Sequence, residues 1–566
     1  MEIFQLFLYG ISYTVDRNSL RLLSDIPDKA PDTGKEILIT LKDVKAGTPD
    51  FTMTMSHLKE MSRVAHPSKS KENNNVKSYL TSQFDMMGCD YQENASNVTM
   101  ITNILVKIDA PDTDKGVMFV SHYDSTAYGP GASDDLISVA SMLESMRMIK
   151  EKGELTNDMY FLFTDGEEDG LVGSRFFIET RLDMKDKIVW IVNLEARGNE
   201  GSVLMFETSA DNLGSITVLA KAVNNIAAIS GMSDLYSKLP NKTDFTNFLN
   251  EGYKGINFAA IDGLENYHKP TDSFDNLNRD TAYMYFTTTT ELADYMSTAD
   301  LDTLEGGEDA VYFPFIKGNL VIIPNQAMIV SSIAIAVSAL CWAAWILAKR
   351  DCRLSDFLKA VLVMFGALAG TGLIGWAGSY FYALAFPNAA WTQHVTEMDI
   401  LFYSLCAVIV SGVAVLFYFK VPKGSPTKPY YLSCLVLFAL AVLACLFFVD
   451  GLIYLFTIPL LIMMIYIPLS SLLKNMKRRG IIIKFLFAAI SCLITSILYT
   501  PVIYMIYLAM IYPIFAADLV IVAFASFSVS ILFADSLVII NAQCKDSGLI
   551  QPTADASGTS GEKTII

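Results

Sequence analysis

The sequence predicts two unlike halves: an α/β domain whose mixed, largely parallel central sheet is sandwiched by helices, followed by an all-α multi-span membrane domain. Three observations predict this. Charge is divided, with 28 Lys/Arg against 49 Asp/Glu up to Lys317 and 14 against 10 beyond it. Apolar runs of about 20 residues, the length that crosses a hydrocarbon layer, lie in the second half. In the first half, short apolar strand patterns alternate with helical ones, the order that builds a sheet covered on both faces. The expected divisions of the 566 residues are an N-terminal segment 1–50, a globular domain 51–318, a membrane domain 327–540 and a polar tail 541–566.

The globular half reads as helices over Met53–Val64 and Lys71–Met87, then strands over Asn103–Ile108 and Val117–Val120. A helix over Leu136–Lys150, a strand over Met159–Phe163 and a helix over Gly170–Thr180 follow. Ile188–Leu194 (IVWIVNL) is almost unbroken apolar, as in a strand buried on both faces. Ligands of such sheets bind beyond the carboxyl ends of the strands. There the sequence puts His122 after one strand, Asp165, Glu167 and Glu168 after a second, and Glu195 at the end of a third. Asp134 opens a helix after a Gly/Pro-rich loop.

In the second half, Ala327–Ala348, Ala360–Phe386, Ile400–Phe419, Tyr430–Val449 and Leu452–Leu472 are long enough to span a bilayer. Ile482–Ile540 holds two or three more, with Pro501 and Pro513 as expected breaks, so seven or eight helices are expected. Lys349, Arg350, Arg353 and Lys359, then Lys420, Lys423 and Lys428, then Lys474, Lys477, Arg478 and Arg479 fill alternate loops. The intervening loops Pro387–Asp399 and Asp450–Gly451 carry no Lys or Arg. Basic loops face the cytosol, so the acidic half is expected on the lumenal or extracellular side. Sequons at Asn94, Asn97 and Asn241 agree with that side. Ile3–Val15 is too short for a span and is read as a weak signal, an anchor remnant or a buried strand. Asp535, inside the last apolar block, is expected to snorkel toward the cytosolic end.

The lipid bilayer is thus one partner. Nucleic acid is excluded, because an acidic domain lacks the clustered cations that neutralise phosphates. Cys89 is the single cysteine before the seam, so neither an intradomain disulfide nor a thiolate zinc site is available there. A metal in this domain must be held by imidazole and carboxylate.

Five histidines limit the choice: His57, His66, His122, His268 and His394. His122 heads SHYDS, where Asp124 can accept the second imidazole N–H and fix the tautomer. His268 lies in ENYHKPTD. Two histidines with several carboxylates make a nitrogen–oxygen site suited to catalytic zinc. In the pair Glu167-Glu168 one carboxylate can bind metal while the other takes a proton from activated water.

SHYDS, PGASDD, FTDGEEDGLVGSRFF, NLEARG and YHKPTDSFDNL occur in that order. They resemble the five signatures of the co-catalytic, two-zinc aminopeptidase and glutamate carboxypeptidase family. Glu195 in NLEARG and the multi-span tail are most similar to the branch of vacuolar membrane proteases and endoplasmic reticulum metallopeptidases. The resemblance covers about Phe51–Ser297 and implies a zinc exopeptidase fold. It implies two Zn2+ ions, with His122 and Glu195 on one, Glu168 and His268 on the other, and Asp134 bridging. Asp135 would follow Asp134 through a cis peptide. Glu167 would be the general base, Asp124 would orient His122, and Tyr267 would hydrogen-bond the tetrahedral intermediate. The implied activity is hydrolysis of peptide or protein substrates, as an aminopeptidase anchored in an endoplasmic reticulum or vacuolar membrane. Two other readings compete with it, a non-catalytic membrane scaffold and a zinc glutaminyl cyclase. Retention of the whole ligand set opposes the first, and the number of spans opposes the second. Asp244, in PNKTDF, is expected on the surface rather than in a substrate pocket.

Overall fold

The computed structural model describes residues 46–239, 241–315, 318–385, 396–420, 427–473, 476–510 and 515–546. Ile3–Val15, residues 547–566 of the polar tail and the side chain of Asp535 lie outside the described residues.

One eight-stranded sheet organises the first half. Its strands are β1 (Tyr91–Ser96), β2 (Ile101–Ile108), β3 (Gly116–His122), β4 (Asp158–Thr164), β5 (Ile188–Ala196), β6 (Glu200–Thr208), β7 (Ala227–Ala228) and β8 (Gly255–Asp262). They lie in the order β1-β2-β4-β3-β5-β8-β6-β7. The central run β4-β3-β5-β8 is parallel, while β2 joins β4 and β6 joins β8 antiparallel. The sheet is therefore mixed with a parallel core. Every residue of β3 and β4 is buried, as strands covered on both faces require.

Helices α1 (Phe51–Met61), α2 (Lys71–Met87), α3 (Ile137–Lys152), α4 (Val172–Thr180), α5 (Leu213–Ala222), α6 (Ser230–Tyr236), α7 (Asp244–Asn250) and α8 (Arg279–Met296) surround the sheet. Asp50 and Ser70 cap α1 and α2 by accepting the backbone amides of Thr52 and Asn73. α3 is buried from Ile137 to Ile149, which makes it a helix of the interior.

Three differences from the sequence reading bear on the site. β3 continues to His122, which pairs with Thr164, so His122 ends the strand instead of following it. Asp134 does not open a helix: its φ of −112° and ψ of 85° are non-helical, and α3 starts at Ile137. β1 escaped notice because YQENAS is a largely polar edge strand without apolar alternation.

A hairpin of β9 (Ala310–Pro314) and β10 (Leu320–Pro324) leads into the second half. There the helices are α9 (Asn325–Ala348), α10 (Leu354–Ala385), α11 (Thr396–Lys420), α12 (Lys428–Phe448), α13 (Tyr454–Leu472), α14 (Lys477–Met510) and α15 (Phe515–Asp546). Six helices among the described residues are long and apolar enough to cross a membrane, and the chain is a multi-pass membrane protein. Pro501, expected at a break, lies inside α14. In an apolar bundle neighbouring helices and local adjustment compensate the lost backbone bond, so the helix continues through it.

The halves are packed together rather than strung on a linker. Gly451, between α12 and α13, donates its N–H to the Asp234 carboxylate at 2.8 Å, and its carbonyl accepts the Ser230 hydroxyl at 2.7 Å. The Phe313 and Tyr454 rings stack with centroids 4.2 Å apart. One apolar core runs continuously from Leu204, Met232 and Val311 into the membrane helices.

Candidate metal centre

The carboxyl ends of β3, β4 and β5 deliver His122, the Glu167-Glu168 turn and Glu195 to one edge of the sheet. The loop before α3 adds Asp134, and the segment after β8 adds His268. Ligand-type atoms of His122, Asp134 and Glu195 lie within 4.8 Å of one another, as do those of Asp134, Glu168 and His268. Asp134 belongs to both groups. Its Oδ1 is 3.3 Å from His122 Nε2 and its Oδ2 is 3.2 Å from His268 Nε2. Glu195 Oε2 lies 3.8 Å from His122 Nε2, and Glu168 Oε2 lies 3.2 Å from His268 Nε2.

Side chains that sequence reasoning assigned no role hold this arrangement. The Asp272 carboxylate accepts the backbone amide of Ser133 at 2.8 Å, its hydroxyl at 2.6 Å and the amide of Asp134 at 3.3 Å. These bonds bind the backbone of the Asp134 loop in place of helical ones. Asp272 sits within the YHKPTDSF segment that supplies His268, and that adjacency was its sequence signal. The Asp134–Asp135 peptide is cis. Asp135 is buried and points the other way, accepting the hydroxyls of Ser121, at 2.5 Å, and Ser138. The Tyr285 hydroxyl donates to the Glu195 carbonyl at 2.5 Å and accepts the Ala260 amide at 2.8 Å, which fastens β5 to β8 beside the site.

Asp124 acts differently from the expectation. Nδ1 of His122 faces the backbone carbonyl of Asp124 at 2.9 Å, while the nearer carboxylate oxygen is 3.5 Å away. The carboxylate instead accepts the backbone amides of Glu167 at 3.2 Å and Glu168 at 3.4 Å. Asp165 is turned away from the centre, accepting the Thr102 amide at 2.9 Å and the Asn73 side-chain amide at 3.3 Å. Asp244 is not on the surface. It is 1% exposed, accepts the Thr164 hydroxyl at 2.6 Å and lies close enough to raise the proton affinity of Glu167. The aromatic ring of Tyr267 stacks on His268 with centroids 3.7 Å apart.

The electrostatics are those of a site built around positive charge. Burial, then the neighbouring Glu195 carboxylate, pushes Glu167 well above the usual carboxylate range. Burial does the same to Glu195. For His122, burial favours loss of the proton, but Asp124 and Asp134 outweigh it and hold the imidazole well above its ordinary value. His268 is likewise raised to about 10, where burial is overcome by Asp134 and Glu168. Glu168 Oε1 and His268 Nε2 are buried without an aligned hydrogen-bond partner. Unpaired buried acceptors facing imidazole nitrogens fit divalent cations, and the nitrogen–oxygen donor set fits zinc.

A cavity of about 370 Å³ opens beside these groups, lined by Asp134, Glu167, Glu195 and Tyr267 among others.

Residues 103–293 match the model of Peptidase family M28. The vacuolar membrane protease of Leptosphaeria maculans is 27% identical over 382 residues, covering 60% of this chain and 47% of that protein. Endoplasmic reticulum metallopeptidase 1 of Rattus norvegicus is 32% identical over 206 residues, covering 36% of this chain and 23% of that protein. The chain thus aligns with less than half the length of each of these curated relatives. Among solved structures, an aminopeptidase from Aneurinibacillus sp. strain AM-1 is 14% identical with a TM-score of 0.36, covering 44% of this chain and 94% of that one. Residues 103–293, which carry the ordered motifs, thus match Peptidase family M28 and stand ahead of a multi-span membrane half.

Proposed function

We propose that this protein is a membrane-anchored, zinc-dependent exopeptidase that removes residues from the amino terminus of peptides. The observation that carries the proposal is the sharing of Asp134 between two ligand groups, one with His122 and Glu195 and one with Glu168 and His268. A carboxylate so shared suits a pair of ions. Two zinc ions held there would polarise the scissile carbonyl and make water nucleophilic at neutral pH.

The chain's own residues do the rest. The carbonyl of Asp124 accepts a hydrogen bond from Nδ1–H of His122, the tautomer that leaves the Nε2 lone pair free to hold a metal. The Glu167 carboxylate, which lines the cavity together with Asp134 and Glu195, takes the proton of the attacking water. It returns that proton to the leaving nitrogen. The Tyr267 side chain, also in the lining, is poised to donate its hydroxyl proton to the developing oxyanion.

The lumenal or extracellular side is supported by the docking of Ser230 and Asp234 onto the Gly451 loop, which carries no Lys or Arg. The names of the relatives support residence in a vacuolar or endoplasmic reticulum membrane. The test is a digest of a peptide library by the full chain in detergent, with metal analysis of the same sample. Stepwise release of amino-terminal residues with two zinc ions per chain is expected. Internal cleavage, release from the carboxyl end, or inertness with two ions bound would overturn the proposal.

A further inference from the structure

We propose that the membrane half supplies a wall of the substrate cavity, and that Ile506 on α14 selects an apolar side chain on the residue being removed. The inference rests on the exopeptidase reading above and extends it to substrate class.

Ile506 lines the same cavity as Asp134, Glu167 and Glu195, although it lies more than two hundred residues beyond them in a helix that crosses the membrane. It is 5% exposed, so it is part of the packed wall rather than a rim. Its apolar neighbours in the lining include Phe206 on β6, Met232 and Leu235 on α6, and Ile261 on β8. Arg197 and Lys242, which also line the cavity, disfavour a basic side chain. The carboxylate end thus receives the reacting groups, and the remainder suits an aliphatic or aromatic residue.

Two attachments place Ile506 there. Two residues before it on the same helix, the Tyr504 hydroxyl donates to the Asp262 carboxylate at 2.9 Å, at the end of β8. Another part of the lining, α6, is fixed by Ser230 and Asp234 to Gly451. Both parts are therefore referenced to the membrane helices, and the cavity keeps its width only while the halves stay docked.

The test uses the full chain in detergent, loaded with zinc, and fluorogenic substrates whose removable residue is Leu, Phe, Ala, Glu or Lys. The wild-type order expected is Leu and Phe, then Ala, with Lys poorest. Ile506→Trp fills the wall and is expected to lower the Leu-to-Ala ratio of kcat/KM about tenfold, the scale on which one or two carbons in a pocket discriminate. Ile506→Ala deepens it and is expected to raise the Phe-to-Ala ratio several-fold. Should the Trp variant not fold, the Ala variant and Ile506→Val carry the test alone. Ratios within about twofold of wild type in every folded variant overturn the proposal when Glu167→Gln is inactive, and so does a wild-type preference for Glu or Lys. Hydrolysis that survives Glu167→Gln overturns the exopeptidase reading itself, and the pocket assignment with it.

Discussion

The carboxylate of Asp124 accepts the backbone amide of Glu167 at 3.2 Å, while the carbonyl of the same residue lies 2.9 Å from Nδ1 of His122. One residue thus ties the tautomer of a proposed ligand to the position of the proposed base, by two different groups. Asp124→Ala deletes the carboxylate and keeps the carbonyl. The His122 tautomer should persist while the Glu167-Glu168 turn loosens. Supporting bonds around metal sites typically contribute 10–100-fold, so kcat is expected to fall by about that factor with a small change in KM. Asp124→Asn, which keeps one acceptor oxygen, should recover part of the loss. Steady-state kinetics beside zinc content checks this, and an Ala variant with wild-type kcat breaks the proposed link.

Glu167 faces the cavity, and it belongs to neither ligand group. Glu167→Gln keeps its shape and removes its ability to carry a proton. General acid–base groups contribute about 10²–10⁴-fold, so kcat should fall by that order while zinc stoichiometry stays at the wild-type value. Glu168→Gln should do the reverse and weaken zinc retention first. Parallel metal analysis and kinetics separate the two, and zinc loss from the Glu167 variant would contradict the assignment of roles.

Much of the centre was legible because its residues sit at strand ends, where chain order alone places them on one edge. β3, β4 and β5 are apolar enough to be read directly, and metal-competent side chains lie at or just beyond their carboxyl ends: His122, Glu167-Glu168 and Glu195. What escaped was set by contacts between distant segments. Asp272 looks like any loop aspartate until the Ser133 amide is found on its carboxylate, 139 residues away. Asp244 was placed on the surface because PNKTDF is polar, yet α7 turns it inward onto Thr164. Asp124 lies beside His122 with both its carbonyl, at 2.9 Å, and its carboxylate, at 3.5 Å, a division of labour that sequence spacing does not reveal. Ile506 carried no signal at all, because an isoleucine in a membrane helix is indistinguishable from lipid-facing residues until the helix is docked.

Glu207 gives the fold a pH dependence that is separate from the metal centre. Burial raises it to about 7, and the Asn257 side-chain amide, 2.9 Å from its Oε2, offsets this only in part. The folded value lies above the ordinary carboxylate value, so between the two the folded state holds more protons than the unfolded one. Its contribution is therefore fully present at acid pH and is lost as pH rises through about 7. The loss by pH 8 is on the order of 3 kcal/mol, given 1.36 kcal/mol per tenfold change in proton affinity. Glu207→Gln removes the titration and keeps an acceptor for Asn257. The variant should unfold at a higher temperature than wild type at pH 8 and at nearly the same temperature at pH 4, below the ordinary carboxylate value. Thermal scans at both values decide it, and an equal difference at both would assign the effect to packing instead.

Gly451 tests whether the docking of the two halves governs the cavity. A Cβ built on Gly451 would lie 2.8 Å from the backbone of Ser230 and Gly231 on α6, and one on Gly231 would lie 2.3 Å from the side chain of Leu452. The two glycines let one backbone pass against the other. Rotation of the Asp234 side chain, which the Cβ also meets at 2.8 Å, cannot by itself absorb Gly451→Ala, because the Ser230 and Gly231 atoms it meets on α6 are main chain. Overpacking of this kind costs about 1–3 kcal/mol, and it should be relieved by α6 shifting away from the loop. Because α6 carries Met232 and Leu235 of the cavity wall, the shift reaches the substrate. The expected result is a lower unfolding temperature together with a weakened Leu-over-Ala preference in kcat/KM and an unchanged zinc content. Ser230→Ala removes the bond to the Gly451 carbonyl without adding volume, and should produce the same change in smaller measure. If Gly451→Ala lowers stability but leaves the preference at its wild-type value, the halves are merely joined there, and the width of the cavity is set by the peptidase domain alone.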